Sequence, residues 1–204
     1  MTVMQLQNME RNNLFPIFLK LEALETLIVG GGPVGLEKLN AILKNSPGAR
    51  VTLVARHIQQ PILDLASKHP QVKLEERNFK LWDLWNKDLV LLAANSRSLH
   101  ETICRFARNR HVLVNVADTP DLCDFYMGSV VTRGNLKIGV STNGKSPTIS
   151  KRLREYLEEA IPEETDELLN NMSRIRDQLK GDLSHKMREL NRITSSMLGG
   201  SSAE

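Results

Sequence analysis

The run Gly30-Gly31-Gly32-Pro33-Val34-Gly35 restricts this chain more than any other feature. It satisfies G-x-G-x-x-G, it follows the short apolar run Thr26 to Val29, and it opens a helix-compatible stretch from Val34 to Lys44. In a strand–turn–helix setting each glycine has a mechanical task. Gly30 permits the tight turn, Gly32 lets the backbone approach a pyrophosphate, and Gly35 allows close packing of helix on strand. The first N–H groups of the helix then face negative charge. All six residues, Gly31, Pro33 and Val34 included, are candidate cofactor-binding positions. A glycine-rich turn that binds nothing is the competing reading of the same residues.

The surrounding pattern supports the first reading. Further strands are expected at Val51 to Ala55, Val72 to Glu76, Asp88 to Ala94 and Val112 to Val116, with helices at Ile58 to Lys68 and Ser98 to Asn109. Apolar strands alternating with amphipathic helices imply crossover connections and therefore a parallel sheet covered on both faces. The fold class is α/β, a Rossmann-type doubly wound sheet. After Asp118 the rhythm changes. Phe125 to Thr132 and Leu136 to Ser141 read as two strands joined at Arg133-Gly134-Asn135, and Ser146-Pro147 reads as the cap and first residue of a helix reaching about Ala160. The expected organisation is an NAD(P)-binding domain over 1–118, a small α+β hairpin and dimerisation unit over 119–146, and a C-terminal helical region over 147–204.

In that last region Leu168, Met172, Ile175, Leu179, Leu183, Leu190, Ile193 and Met197 form one apolar stripe on charged helix, which demands a partner, either the chain's own body or a second subunit. The tail from Gly199 to Glu204 has the composition of a disordered end.

Charge and residue usage narrow the function classes. Lys and Arg number 27 against 24 Asp and Glu, a net +3 without a dense basic patch, so no nucleic-acid partner is expected. With 25% charged residues and 41% hydrophobic ones the chain reads as an ordinary globular protein without a membrane span. Met1 to Asn13 is polar and of mixed charge, so no secretory signal is expected and the location reads as cytoplasmic. Cys104 and Cys123 lie far apart, and the five histidines show no ligand spacing, so no resident metal site is expected. At the end of the second strand, where an acidic residue would hold the adenosine ribose, stand Arg56 and His57. Arg56 is either a contact to a 2′-phosphate, which would favour NADP, or a solvated loop arginine.

Several motifs in order resemble the precorrin-2 dehydrogenases, including the N-terminal part of siroheme synthases. They are Leu14-Phe15-Pro16-Ile17-Phe18-Leu19, the fingerprint with Leu27-Ile28-Val29 before it, Leu113-Val114-Asn115-Val116-Ala117-Asp118, Leu122-Cys123-Asp124-Phe125, Val140 through Pro147, and Lys151-Arg152-Leu153-Arg154-Glu155. The resemblance runs from Leu14 to about Ile161. It implies NAD-dependent oxidation of precorrin-2 to sirohydrochlorin in siroheme biosynthesis, with ferrous iron as a further substrate in members that also act as ferrochelatase, and a homodimer. It assigns Asp118 as the catalytic residue. Read by itself, Asp118 ahead of Pro120 is a turn residue.

Ala94 and Asn95 would line the cofactor, although Ala93-Ala94-Asn95-Ser96 departs from the family's usual Ala-Ala-Thr-Asp or Ala-Ala-Thr-Asn. An acidic tetrapyrrole calls for cations and oriented donors, and the candidates are Asn115, Arg133, Thr142, Asn143, Gly144, Lys145, Ser146, Lys151 and Arg152. A second reading from another class keeps the fingerprint and the helical stripe but makes the chain a non-catalytic NAD(H) sensor.

Overall fold

Five short segments, four of them rich in apolar residues and one, Val72 to Glu76, alternating, become the strands of one parallel sheet. They are β1 (Glu25–Val29), β2 (Arg50–Ala55), β3 (Val72–Glu76), β4 (Leu89–Leu92) and β5 (Leu113–Val116), in the order β3-β2-β1-β4-β5. Three helices make crossovers: α1 (Pro33–Asn45), α2 (Gln60–Ala66) and α3 (Arg97–Arg108). The computed structural model describes residues 12–194, so Met197 and the tail from Gly199 lie outside the described residues.

The alternation of side chains along each strand divides the core between two faces. On one face Leu27, Val29, Val90, Leu92, Val114 and Val116 pack with Ile103, Cys104 and Ala107 of α3. On the other, Ile28, Leu53 and Leu91 pack with Leu39, Ile42 and Leu43 of α1 and with Ile62 of α2. Leu27, Ile28, Leu39 and Ile62 are wholly buried, each stabilising the fold by about 1.5–3 kcal/mol relative to an exposed side chain.

The connection from β3 to β4 has only a turn of 3₁₀ helix at Leu81–Leu84. It is locked by Asp83, whose carboxylate receives both arms of the Arg77 guanidinium at 2.9 and 2.7 Å and the Lys80 N–H at 2.8 Å. Burial works to raise the Asp83 carboxyl, but the Arg77 fork and the Lys80 N–H outweigh it and hold the group below the usual carboxylate range.

The described residues divide into two units. The sheet unit runs to Ser129 and includes 140–150; the second holds 130–139 and the chain from Lys151 onward. The second contains most of the hairpin β6 (Ser129–Arg133) and β7 (Leu136–Val140), most of α4 (Pro147–Ala160), and α5 (Thr165–Gln178) and α6 (Leu183–Thr194).

Two local differences from the sequence expectation have physical causes. The first hairpin strand begins at Ser129, not Phe125, because the Phe125 carbonyl is taken by the Asn115 side-chain amide at 2.9 Å. The C-terminal stripe is broken into two helices: α5 ends at Gln178 with Leu179 extended at ψ 128°, Gly181 follows at φ +109°, and Asp182 accepts the His185 N–H at 2.8 Å and starts α6. Among the described residues no helix is long and apolar enough to cross a membrane.

Candidate functional site

The carboxyl ends of the strands lie level. Val29 is in register with Val54 on one side and with Leu92 on the other, and Leu92 is in register with Val116. The ladder continues one step further: Gly30 N–H donates to Val54 O at 3.0 Å, Ala93 N–H to Val29 O at 2.8 Å, and Ala117 N–H to Leu92 O at 3.0 Å. The fingerprint, Ala94-Asn95 and Asp118 therefore leave the sheet side by side, from β1, β4 and β5. Ligands of doubly wound sheets bind beyond this edge.

The glycines of the fingerprint do different work. Gly30 has φ +128°, and a Cβ there would lie 2.6 Å from the Ala93 carbonyl carbon. A Cβ on Gly35 would sit 2.1 Å from Gly30 O. Gly31, formally a free position of the motif, is equally confined, because a Cβ would meet His57 O at 2.3 Å. Gly32 is the exception: a Cβ there meets no protein atom within 4 Å. The open space beside it fits a pyrophosphate. Pro33 follows at the first helical position, and the N–H groups of Val34 and Gly35 belong to the first turn, which has no intrahelical acceptors.

Around the end of β2 the side chains are engaged with β3. Arg56 Nε donates to Asn78 Oδ1 at 2.5 Å, while Glu76 Oε1 accepts the Ile58 N–H at 3.1 Å and lies 3.3 Å from His57 Nδ1. Thus a carboxylate does stand beside the end of β2, supplied by the neighbouring strand, where Glu76 faces Ala55 in register. No pattern within β2 could have revealed it.

Asp118 is exposed and left-handed, at φ +54°. Asn115 is buried at 4%, with its amide committed to Phe125 O. Its Oδ1 has no hydrogen-bond partner. His100 on α3 is also buried; burial holds its imidazole below its usual range, against a backbone hydrogen bond with Ala94.

The segment from Ser141 to Ser150 forms a tight turn into α4. Asn143 and Gly144 take φ +55° and +74°. Thr142 Oγ1 accepts the Ser146 N–H at 3.2 Å and lies 3.1 Å from Ser150 Oγ, and Ser146 Oγ caps α4 by accepting the Ile149 N–H at 3.2 Å. The hydroxyls of Thr142 and Ser146 are therefore used within the turn, while Gly144 and Lys145 are exposed. A residue absent from the sequence reading links this turn to the Asp118 loop: Tyr126 donates its hydroxyl to Pro120 O at 3.4 Å, and a Cβ on Gly144 would lie 3.9 Å from its ring.

The remaining cations belong to the second unit. Arg133 donates to the carbonyls of Ile161, at 3.2 Å, and of Glu158, and so closes the end of α4. Lys151 and Arg152 are exposed on α4 and pair with Glu155.

Comparison with known proteins adds the following. Residues 17–129 match a family model described as "Putative NAD(P)-binding", and residues 133–160 match one described as "Sirohaem biosynthesis protein central". The siroheme synthase of Methylococcus capsulatus is 34% identical over 165 residues, covering 81% of this chain and 34% of that protein. That of Psychrobacter arcticus is 35% identical over 175 residues, covering 86% and 31%. The chain thus spans about a third of the length of the curated relatives it matches. Among solved structures, SirC, a precorrin-2 dehydrogenase, superposes with a TM-score of 0.69 at 24% identity, over 88% of this chain and 89% of that one, and shares the fold.

Proposed function

Because the chain belongs to the NAD(P)-binding family matched over more than half its length, followed by the central part of sirohaem-biosynthesis proteins, we propose that it is a dehydrogenase that oxidises precorrin-2 to sirohydrochlorin. The observation that carries this is the common level at which β1, leading to the open Gly32, and β5, leading to the exposed Asp118, end at one sheet edge with only β4 between them.

The oxidation removes a hydride and a proton from the substrate. A nicotinamide, when bound, supplies the acceptor for the hydride. The chain supplies the rest. Gly30 to Gly35 and the first turn of α1 hold the pyrophosphate, Ala94 and Asn95 border the nicotinamide side, and Asp118 takes the proton or orients the group that does. Arg56 is the residue on which NAD against NADP preference turns. In the sheet unit Asn143, Gly144 and Lys145 serve the carboxylates of the tetrapyrrole, Thr142 and Ser146 shape their turn, and Asn115 serves by holding the chain at Phe125; on the second unit Lys151 and Arg152 are further candidate cations and Arg133 shapes the end of α4.

The working form is a homodimer, supported by the exposed apolar residues Leu168, Leu169, Leu183, Met187 and Ile193 on α5 and α6. Ferrous iron is a further substrate if the chain also makes siroheme. A cytoplasmic location accords with two cysteines that remain free thiols.

The test is anaerobic incubation with precorrin-2 and NAD, with NADP in parallel, following sirohydrochlorin by absorbance before ferrous iron is added. Formation that requires the cofactor is expected. Asp118→Asn should retain nucleotide binding and lose at least about 100-fold in kcat. Gly32→Val should fold normally and lose nucleotide binding. Tight NAD binding without turnover in the parent chain would replace the enzyme by the sensor reading.

A further inference from the structure

β5 is an outer strand, so the N–H and C=O groups of Val114 and Val116 on its far side have no neighbouring strand to pair with. Unpaired edge groups are costly when covered and sticky when bare. Here the chain turns back after the Asp118 loop and covers them with Leu122 to Phe125. It does so without forming a strand, because side chains take over part of the hydrogen bonding.

Asp124 makes the first rung. Its N–H donates to Val114 O at 2.7 Å, and its Oδ2 accepts the Val114 N–H at 3.0 Å. Cys123 makes the second. Its Sγ accepts the Val116 N–H at 3.2 Å, and the thiol faces Val116 O at 3.3 Å and Thr119 O at 3.5 Å as acceptors. Arg108 of α3 fastens the segment from outside, with Nη2 donating to Leu122 O at 3.1 Å and pairing with Asp124 at 3.2 Å. The residues between, from Ala117 to Leu122, form a loop with a closed neck. Asp118 lies on it in a left-handed conformation, and a loop with an open neck would not hold that residue in one place.

We propose that Cys123 and Asp124 are positioning residues for Asp118: they fix the height and direction of its loop over the sheet edge without touching substrate. The inference rests on the reading of Asp118 as the reactive carboxylate. A misplacement of about 1 Å in a reacting group can lower a rate on the order of 100-fold.

The experiment compares Cys123→Ala, Cys123→Ser, Asp124→Ala and Asp124→Asn in precorrin-2 oxidation, with NAD affinity measured separately by titration. The alanine variants should lose roughly 10- to 100-fold in kcat with NAD affinity and the KM for precorrin-2 within about twofold. Serine and asparagine keep an acceptor in the same place and should restore most of the rate. Combining Asp124→Ala with Asp118→Asn should cost no more than Asp118→Asn alone, since residues acting through one group are not additive. Full kcat in both alanine variants, a parallel loss of NAD affinity, or additive losses in the double variant would each overturn the positioning role. If Asp118→Asn itself turns over normally, it is the reading of Asp118 that falls, and that result is independent of the neck variants.

Discussion

In the sheet unit Leu27, Ile28, Leu39, Leu53 and Ile62 have no exposed surface, whereas in the hairpin-and-helix unit Val131 is the one fully buried side chain among the described residues. The contrast follows from architecture. A parallel sheet covered on both faces converts most apolar positions of its inner strands into core, and Leu113 on the outer β5 is 41% exposed. Single helices bury one stripe; on α5 and α6 Met172, Ile175 and Leu190 are only half-buried, and Leu183 is 73% exposed. The sheet unit thus encloses a core of its own, although Phe15 at 85% and Trp85 at 59% stay exposed on it, while the second unit has little core and carries open apolar surface on α5 and α6.

The largest test of this comparison is at the fingerprint. Gly35→Val drives a side chain into Gly30 O within the tightest part of the sheet unit, and it should cost more than about 4 kcal/mol or prevent folding. At Gly32, a few residues away, a Cβ meets no atom within 4 Å, and Gly32→Val should shift the midpoint of denaturation little while abolishing nucleotide binding. Equal destabilisation by both would mean that the glycine pattern serves packing alone.

Next in size is the removal of one apolar side chain from each unit. Leu39→Ala, wholly buried on α1, should lose about 3 kcal/mol in urea unfolding. Leu183→Ala on α6 should change monomer stability by no more than about 0.5 kcal/mol, and sedimentation should show weaker self-association. A Leu183 variant as damaging as Leu39→Ala at all protein concentrations would remove the distinction between the units.

The same contrast governs what could be read beforehand. The strands of the sheet, their parallel sense and the glycine turn were legible because each follows from residues close in sequence. The short run Thr26 to Val29 directly before Gly30 can hardly be anything else. Glu76, Cys123, Asp124 and Tyr126 were not legible in the same way. Their partners, Ile58, Val116, Val114 and Pro120, are set by the strand register and by the return of the chain past β5, and no local pattern encodes those meetings. In the second unit the regular stripe was visible, but not its interruption. The chain leaves the helix at Leu179 and turns through Gly181 at φ +109°, and hydrophobic spacing carries no record of that.

The smallest effects come from one carboxylate in each unit. Asp83 is clasped by Arg77, and its side chain is 6% exposed. Asp166 is held by the Asn135 N–H, at 2.6 Å, and by the Asn135 side chain, at 2.9 Å. Both carboxyls lie below their ordinary values, Asp83 because the Arg77 fork and the Lys80 N–H outweigh burial, Asp166 chiefly through the Asn135 N–H. A depressed carboxyl stabilises the folded state above the unfolded value of about 4, and the contribution disappears as pH falls through the folded value. Asp83→Asn should therefore cost about 1–2 kcal/mol at pH 7, with the gap from the parent closing as the pH is lowered below about 4. Asp166→Asn should lower the Tm only slightly and close over the same direction of pH, because its site is open to solvent and its replacement still accepts the Asn135 N–H. If Asp166→Asn proves the more damaging of the two, the hairpin turn is a fastening point of the second unit, and its stability does not wait on the covering of α5 and α6.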